Sequence, residues 1–335
     1  MNSPLQQQLL ADLAAGAELF PHQYGPAGDQ LLLVRLSSKA IAEASFLDDR
    51  VLPQGVQGAW VAAADVERAN KFPDAPVSYV FHAGHCGSTL VSRLLGAASD
   101  AAALREPLPL RAFAFDLAEG GGAMMSRDML ETRLALIEKL WARGAPAVIK
   151  ATSICTSLAP IAAARPNRKG MFMTQHPEIH LAVLLAGRNA VSDLKSFAQM
   201  RWRRLNAIAP LPPLSAYSRG ELAALAWAAE GAAADAASLP LFDFDRLLAA
   251  PAETLGAIAS ALALSAPRLD AAVSGPILRQ YSKSPDHQYD ASLRAEVIAL
   301  ARAQHGDEIR KGMAWLAARA KESAALNAVL NRWSV

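Results

Sequence analysis

A strand-like run that leads through a glycine-bracketed turn into a helix is the feature that most limits how this chain can fold. Residues 78–81 read Ser-Tyr-Val-Phe, residues 84–87 read Gly-His-Cys-Gly, and Ser88 and Thr89 open a helical stretch. Such a turn presents several backbone N–H groups to one point, and the helix dipole adds to the attraction for negative charge. The pattern therefore predicts an anion-binding loop in an α/β fold.

The rest of the chain is consistent with that fold class. From residue 77 onward, short apolar runs alternate with amphipathic stretches, which predicts βαβ units and a parallel sheet. The predicted strands cover residues 77–81, 102–104, 147–149, 181–186 and 239–242. The predicted helices lie near residues 89–97, 128–143, 190–203, 219–237, 251–262 and 291–303.

Three parts of the chain are expected from this pattern. Residues 1–75 form an N-terminal extension to which no chemistry can be attached, residues 76–305 form the α/β domain, and residues 306–335 form a helical tail packed on it. The chain has 335 residues, 52% of them apolar, which is enough for a large core.

Composition excludes several classes of function. The 33 Lys and Arg against 31 Asp and Glu leave a net charge of +2, which argues against a nucleic-acid binder. The sequence has no signal-peptide pattern and no run of 18 apolar residues, so no membrane span is expected. Cys86 and Cys155 are the only cysteines, which excludes a disulfide framework and favours the cytoplasm. No cysteine–histidine cluster suggests a metal, so none is expected.

Two classes of enzyme with anion-binding loops fit the turn poorly. A P-loop NTPase requires G-x-x-x-x-G-K-[ST], and no Lys stands between Gly87 and Ser88. A cysteine phosphatase requires HC-x5-R, but six residues separate Cys86 from Arg93. The extra residue would turn the arginine by about 100° around a helix, away from the ring of amides.

A third class fits better. Residues 84–91, G-H-C-G-S-T-L-V, resemble the 5′-phosphosulfate loop of the sulfotransferases, [PG]-[KR]-x-G-[ST]-T-x-[LM]. The sequence departs from that loop at His85, where the family has Lys or Arg, and at Val91. In residues 181–197, Arg188 and Ser196 have the spacing of the family's pair that holds the donor's 3′-phosphate at a strand end.

Other segments resemble the tyrosylprotein-sulfotransferase branch. Glu106 in LREPLPLR stands at the distance from Gly87 where that branch has its catalytic base. Lys150 in AVIKATS resembles a lysine near the leaving-group oxygen, and a Lys at the end of a buried strand is costly unless it meets an anion. Ser282 and Lys283 resemble a pair that closes over the donor.

The resemblance covers about residues 77–290 and implies a P-loop NTPase-like three-layer α/β/α fold with a parallel central sheet. It implies transfer of a sulfuryl group from 3′-phosphoadenosine 5′-phosphosulfate (PAPS) to a hydroxyl or amine of a small-molecule or peptide acceptor, with 3′,5′-adenosine bisphosphate as product and no metal. The catalytic residues it implies are Glu106, Lys150 and His85, and the donor-binding residues are Gly84, His85, Cys86, Gly87, Ser88, Thr89, Arg188, Ser196, Ser282 and Lys283.

The departure at His85 leaves alternatives open. A neutral imidazole offers one hydrogen bond where Lys or Arg carries a full charge, a difference of about 2–4 kcal/mol in a transition state. Either His85 is protonated beside the phosphate, or Arg93 or Arg105 supplies the charge. The remaining alternatives are a repurposed nucleotide-binding protein on the same fold and a P-loop small-molecule kinase.

Overall fold

A computed structural model gives the structure of the chain and describes residues 2–25, 28–119, 125–279 and 291–332. The N-terminal part folds into a small antiparallel sheet with helices. Its elements are α1 (Pro4–Ala14), β1 (Leu19–Tyr24), β2 (Gln30–Arg35), α2 (Ser38–Glu43), β3 (Gly58–Ala62) and α3 (Ala63–Ala69), with the strands in the order β1-β2-β3.

A five-stranded parallel sheet forms the centre of the molecule. Its strands are β4 (Val77–His82), β5 (Ala102–Arg105), β6 (Ala147–Lys150), β7 (Arg168–Thr174) and β8 (Leu241–Asp243), in the order β5-β6-β4-β7-β8. All six residues of the central strand β4 are buried, as expected for a parallel strand covered on both faces. Because the strands are parallel, their carboxyl ends open at one edge, where the sites of α/β proteins form.

The remaining elements are mainly helical. The helices are α4 (Ser88–Ala98), α5 (Leu108–Glu119), α6 (Arg127–Ala142), α7 (Ala159–Ala162), α8 (Pro177–Ala186), α9 (Arg188–Ser196), α10 (Ala198–Asn206), α11 (Arg219–Ala236), α12 (Phe244–Ala249), α13 (Pro251–Ala261), α14 (Leu269–Ser274), α15 (Ala291–Glu322) and α16 (Ala324–Asn331). Short 3₁₀ turns occur at Asp49–Val51, Ser153–Leu158, Leu214–Ala216 and Pro276–Arg279.

Alternate residues of the central strands belong to two separate cores. Val80 and Met171 pack with α4 and α13 on one face, whereas Tyr79, Phe81 and Phe172 pack with α5 and α11 on the other. Side chains of a strand alternate between faces, so each strand contributes to both cores. This confirms the predicted three-layer α/β/α fold with a parallel central sheet and a helical C-terminal part.

The N-terminal sheet shares a core with the α/β layers. The ring of Phe20 in β1 stacks on Trp141 of α6 with centroids 6.4 Å apart. Arg105, at the end of β5, donates to the carbonyl oxygens of Ala42 and Ala44, and its own carbonyl accepts from the amide of Leu47 at 2.7 Å. These bonds hold the segment after α2 against the carboxyl edge of the large sheet.

One predicted strand is wrong and one was missed. Residues 181–186 belong to the helix α8, and the fourth strand is β7. Ala182, Leu184 and Leu185 are buried along with Leu181, and an apolar run buried all round gives no periodicity that separates helix from strand. Strand β7 reads RKGMFMT, in which two charges, a glycine and two methionines conceal the β signal. The other four predicted strands are confirmed to within two residues.

The C-terminal part is dominated by α15, which packs on α8 and α11. Its backbone departs from helical geometry at His305 (φ −124°, ψ 17°), so the boundary predicted between residues 305 and 306 falls inside this helix. None of the helices in the described part of the chain is both long and apolar enough to span a lipid bilayer.

Candidate active site

The carboxyl ends of the central strands open into a cavity of about 1030 Å³. Its lining includes His82 at the end of β4, residues 83–90 after it, Glu106 after β5, Lys150 at the end of β6 and Gln175 after β7. The loop, the acid and the lysine that the sequence predicted as functional are therefore brought together in one cavity.

The anion loop depends on left-handed backbone conformations. Gly84, His85 and Gly87 have φ angles of +93°, +50° and +74°. At Gly87 a side chain is excluded for a second reason, because an added Cβ would lie 2.0 Å from Cε2 of Phe244. Helix α4 begins at the next residue, and Ser88, Thr89 and Leu90 of its first turn line the cavity together with the loop.

A buried histidine fixes the loop to the neighbouring strand. The amide of Gly84 donates to Nδ1 of His82 at 2.9 Å, and Nε2 of His82 lies 2.7 Å from the carbonyl oxygen of Ala151. Since a carbonyl only accepts, Nε2 carries the proton and the ring is neutral. The loop after β4 and the chain just after Lys150 are thereby held in one arrangement.

The cysteine of the loop is not available as a nucleophile. Cys86 is fully buried, its Sγ donates to the carbonyl of Met173 at 3.1 Å, and burial raises the pKa of its thiol to about 12. Arg93 lines a second cavity of about 680 Å³ beside α4 and β5. Both observations oppose the phosphatase interpretation of the loop, which needs a thiolate and an arginine at one point.

Lys150 and Glu106 form an ion pair between the ends of neighbouring strands. The side chain of Lys150 is 2% exposed and that of Glu106 is 18% exposed, and the hydroxyl of Thr152 donates to the other carboxylate oxygen at 3.4 Å. Glu106 adopts a φ of +54°, and its amide donates to the carbonyl of Lys150 at 2.7 Å. A residue with a side chain costs roughly 1–2 kcal/mol in this left-handed region, and such strain concentrates at functional sites.

A polar chain that the sequence did not predict links the loop to α15. Gln175, the first residue after β7, donates to the carbonyl of His85 at 3.4 Å and accepts from Arg294 at 2.8 Å. Arg294 also pairs with Asp245 at 2.8 Å and lies 5.1 Å from the centroid of the Phe244 ring. Gln175 directly follows β7, so recognition of that strand would have marked Gln175 as a candidate site residue.

A buried arginine that lines the cavity was also missed. Arg201 on α10 is 4% exposed, and its Nε donates to Glu230 at 3.0 Å. Arg204 donates to the other oxygen of the same carboxylate at 2.8 Å. Nothing in the local sequence of α10, AQMRWRRLN, distinguishes Arg201 from its two basic neighbours.

The N-terminal part contributes one wall of the cavity. Phe46, Asp48 and Arg50 line it. The side chain of Arg50 donates twice to Asp48, at 2.7 and 2.5 Å, and lies 3.9 Å from the centroid of Phe46. These hydrogen bonds lower the pKa of the Asp48 carboxyl. The segment to which the sequence attached no chemistry therefore borders the candidate site.

The remaining predicted donor contacts have mixed outcomes. Helix α9 begins at Arg188, whose side chain lies outside the described part, and Ala190 and Asp193 of this helix line the cavity. Ser196 is exposed at the other end of α9 and is not among the described lining residues. Ser282 and Lys283 lie outside the described residues. Because 181–186 is helical, Arg188 does not follow a strand as predicted.

The predicted replacement charges for His85 are also misplaced. Arg93 and Arg105 line the second cavity, and two donors of Arg105 are taken by backbone carbonyls. Among the described residues that line the candidate site, the basic side chains are Arg50, Arg111, Lys150, Arg201 and Arg294, and the acidic ones are Asp48, Glu106 and Asp193. Even when His85 is left out of the count, these described lining residues include more positive than negative side chains. In the ranges that the structure describes, no three His, Cys, Asp or Glu side chains come together in a way that could hold a metal ion.

Comparison with known proteins found similar chains only among solved structures. No family model matches the sequence, and no curated protein matches it. A sulfotransferase domain from the curacin biosynthetic pathway is 13% identical, with 70% of this chain and 99% of that chain covered and a TM-score of 0.38. A sulfotransferase domain from the Synechococcus PCC 7002 olefin synthase is 12% identical, with 70% and 97% covered and a TM-score of 0.36. Neither is a tyrosylprotein sulfotransferase by name, so that branch stays a prediction from the motifs.

Proposed function

We propose that this chain is a sulfotransferase that moves a sulfuryl group from PAPS to a hydroxyl or amine of an acceptor. The observation that carries the proposal is the position of the Glu106–Lys150 pair beside the loop of residues 84–89, in the same cavity. An anion site, a buried cation and a carboxylate are the three groups that in-line transfer of a charged group requires.

The loop suits the phosphosulfate end of the donor. Ser88 and Thr89 are buried at the start of α4, and both line the cavity with the preceding turn. Amides and hydroxyls together offer donors to phosphate and sulfonate oxygens. The proposal assigns the 5′-phosphosulfate to residues 84–89 and the 3′-phosphate to Arg188, with Ser282 and Lys283 as covering residues. Ser196, predicted to share the 3′-phosphate with Arg188, is not among the described residues that line the cavity.

The ion pair suggests how acid–base chemistry is prepared. PAPS supplies the sulfuryl group: the bond from sulfur to its bridging oxygen breaks while a bond from sulfur to the acceptor oxygen forms. Glu106 accepts the proton of the acceptor hydroxyl, and the Lys150 ammonium stabilises the electron pair left on the bridging oxygen. As Lys150 turns to that oxygen, the carboxylate loses its cation and becomes a better base.

The excess of basic side chains addresses the departure at His85. Lys150 and Arg294 line the cavity, and both are buried or nearly so. A buried cation acts through a lower effective dielectric than an exposed one. We assign to these residues the charge that Lys or Arg supplies in the family's loop.

Ligand binding and transfer assays test the proposal together. We expect 3′,5′-adenosine bisphosphate to raise the melting temperature, since a ligand at 100 times its Kd stabilises the folded state by about 2.7 kcal/mol. Transfer of ³⁵S from labelled PAPS to a panel of alcohols, phenols and amines is the second readout. A shift without transfer would favour a nucleotide-binding protein, and a larger shift with magnesium ATP would favour a kinase. The absence of any shift with the bisphosphate would contradict the proposal.

A further inference from the structure

A cluster of three charged residues, two of them buried, borders the cavity and carries more positive than negative charge. Glu230 is completely buried and accepts from both Arg201 and Arg204. One carboxylate balances only one of the two guanidinium groups. A buried charge without a counterion is costly, so the cluster is suited to receive an anion.

Only one of the two arginines faces the cavity. Arg204 directs its donors to Glu230 and to the carbonyl oxygens of Ile154 and Ala229. Arg201 lines the cavity, and its Nη1 is buried with no hydrogen-bond partner in the part of the chain that the structure describes. A guanidinium nitrogen of this kind is an unused donor in a residue that borders the space a ligand would fill.

The position of Arg201 points to the acceptor rather than to the donor's 5′ end. Helix α10 contacts α5, and Phe197, directly before α10, lies 5.9 Å from Phe115 of α5 between ring centroids. Helix α5 begins two residues after Glu106, the proposed base. Arg204 anchors the cluster to the turn that follows β6 and Lys150. The cluster therefore lies on the β5–β6 side of the cavity.

Apolar side chains line the same cavity as this donor. Leu194, Phe197 and Ala226 line the cavity, and the helix α15 adds Val297 and Ile298. A ligand that reaches Arg201 would have an apolar body beside a negative group. Arg111 of α5 lines the same cavity and adds a further positive charge on that side.

We propose that the acceptor is an amphipathic hydroxy acid whose anionic group, a carboxylate in the simplest case, is bound by Arg201 while its hydroxyl faces Glu106. The inference rests on the proposed function, since it names the substrate class of the same site. Arg201 is then a specificity-determining residue: Glu230 fixes its orientation, and the free side of its guanidinium binds the acid.

Paired acceptors test the inference directly. The probes are 4-hydroxyphenylacetate against p-cresol, and 8-hydroxyoctanoate against 1-octanol, each measured for ³⁵S transfer from labelled PAPS and for thermal shift with 3′,5′-adenosine bisphosphate present. We expect kcat/KM for the acid of at least one pair to exceed that for its neutral partner by tenfold or more. Equal responses within both pairs, including no response to any of the four, would overturn the inference.

Arg201→Gln and Arg204→Gln form a matched pair of variants because each removes one arginine from the same carboxylate. We expect Arg201→Gln to abolish the preference for the acid and to leave transfer to the neutral partner within about threefold. Arg204→Gln should keep the preference, and Arg201→Lys should keep part of it. Loss of the preference in Arg204→Gln alone would overturn the assignment. If Arg201→Gln is unstable, Arg201→Lys decides, since retention of the full preference there excludes a role for the guanidinium fork.

The outcomes separate this inference from the proposed function. Transfer to neutral and acidic probes alike would leave a sulfotransferase without the acid subsite. The acidic probes could also raise the melting temperature without any sulfate transfer. If Arg201→Gln removed that thermal shift, the anion subsite would be supported and the proposed reaction would be excluded.

Discussion

Lys150 and Glu106 are paired, but they differ in their access to water. The side chain of Lys150 is 2% exposed, whereas that of Glu106 is 18% exposed and also accepts from Thr152. Removing the acid takes the paired carboxylate from a buried ammonium, while removing the lysine leaves a carboxylate that water can reach. The two halves of the pair are therefore not equivalent for stability.

Glu106→Gln should destabilise the protein more than Lys150→Met. Removing one partner of a buried pair costs about 3–5 kcal/mol, and the cost is highest for the more buried charge. We expect Glu106→Gln to approach this range and Lys150→Met to cost about half as much in urea unfolding. Glu106→Gln should also reduce sulfate transfer by a factor on the order of 10²–10⁴, as for a general base. Equal stability losses would contradict the asymmetry.

Gly87→Ala should damage the anion loop more than its backbone strain alone explains. Gly55 has the same φ of +74° and an open position for a Cβ, whereas the Cβ at Gly87 would overlap the ring of the buried Phe244. We expect Gly55→Ala to cost about 1 kcal/mol and Gly87→Ala about 2–4 kcal/mol, since overpacking adds to the strain. The measurement is urea unfolding of both variants, with bisphosphate binding as a second readout. Equal costs would show that the ring of Phe244 moves aside freely.

The residues of the candidate site that could be predicted from the sequence are those that follow or end a recognisable strand. The loop after β4, Glu106 and Lys150 each follow directly on a recognisable apolar run, and parallel strands bring such ends together whatever else the chain does. Gln175 was missed because its strand was not recognised. Arg201 and Arg294 were missed because they come from helices, and only tertiary packing places them beside residues more than 25 positions away in sequence, as the Arg201–Glu230 and Arg294–Gln175 bonds show.

His180 should make the protein less stable as the pH falls below neutrality. It is fully buried on α8, and neither ring nitrogen has a partner among the described residues. Burial lowers its pKa to about 3, and the proximity of His85 and Arg201 adds to the shift. Between about pH 6.5 and pH 3 the unfolded chain binds a proton that the folded chain does not. The free energy of unfolding therefore decreases as the pH is lowered through this range. The loss at pH 5 is about 2 kcal/mol from this group.

His180→Phe removes this contribution. We expect the difference in unfolding free energy between the wild type and His180→Phe to change by about 2 kcal/mol between pH 7.5 and pH 5, in favour of the variant at low pH. The exposed His176→Gln is the control and should follow the wild type. A constant difference between wild type and His180→Phe across this range would contradict a neutral, buried imidazole.

Both cysteines should be unreactive in the folded protein. Cys86 and Cys155 are fully buried, and burial raises the pKa of each thiol above its usual value. Titration with 5,5′-dithiobis(2-nitrobenzoate) at pH 8 should detect no thiol in the native state and two per chain in denaturant. Rapid modification of one native thiol at pH 7 would restore thiolate chemistry as an explanation of the loop.

The two sides of the cavity come from different stretches of the chain. The stretch from Phe46 to Arg50 belongs to the small antiparallel unit, whereas the glycine turn and the lysine belong to the large sheet and are tied together through His82. Substitutions at residues 46–50 can therefore alter which molecules enter the cavity while the glycine turn and Lys150 keep their arrangement. In natural or laboratory evolution, changes in this wall can alter substrate specificity while the catalytic residues stay the same.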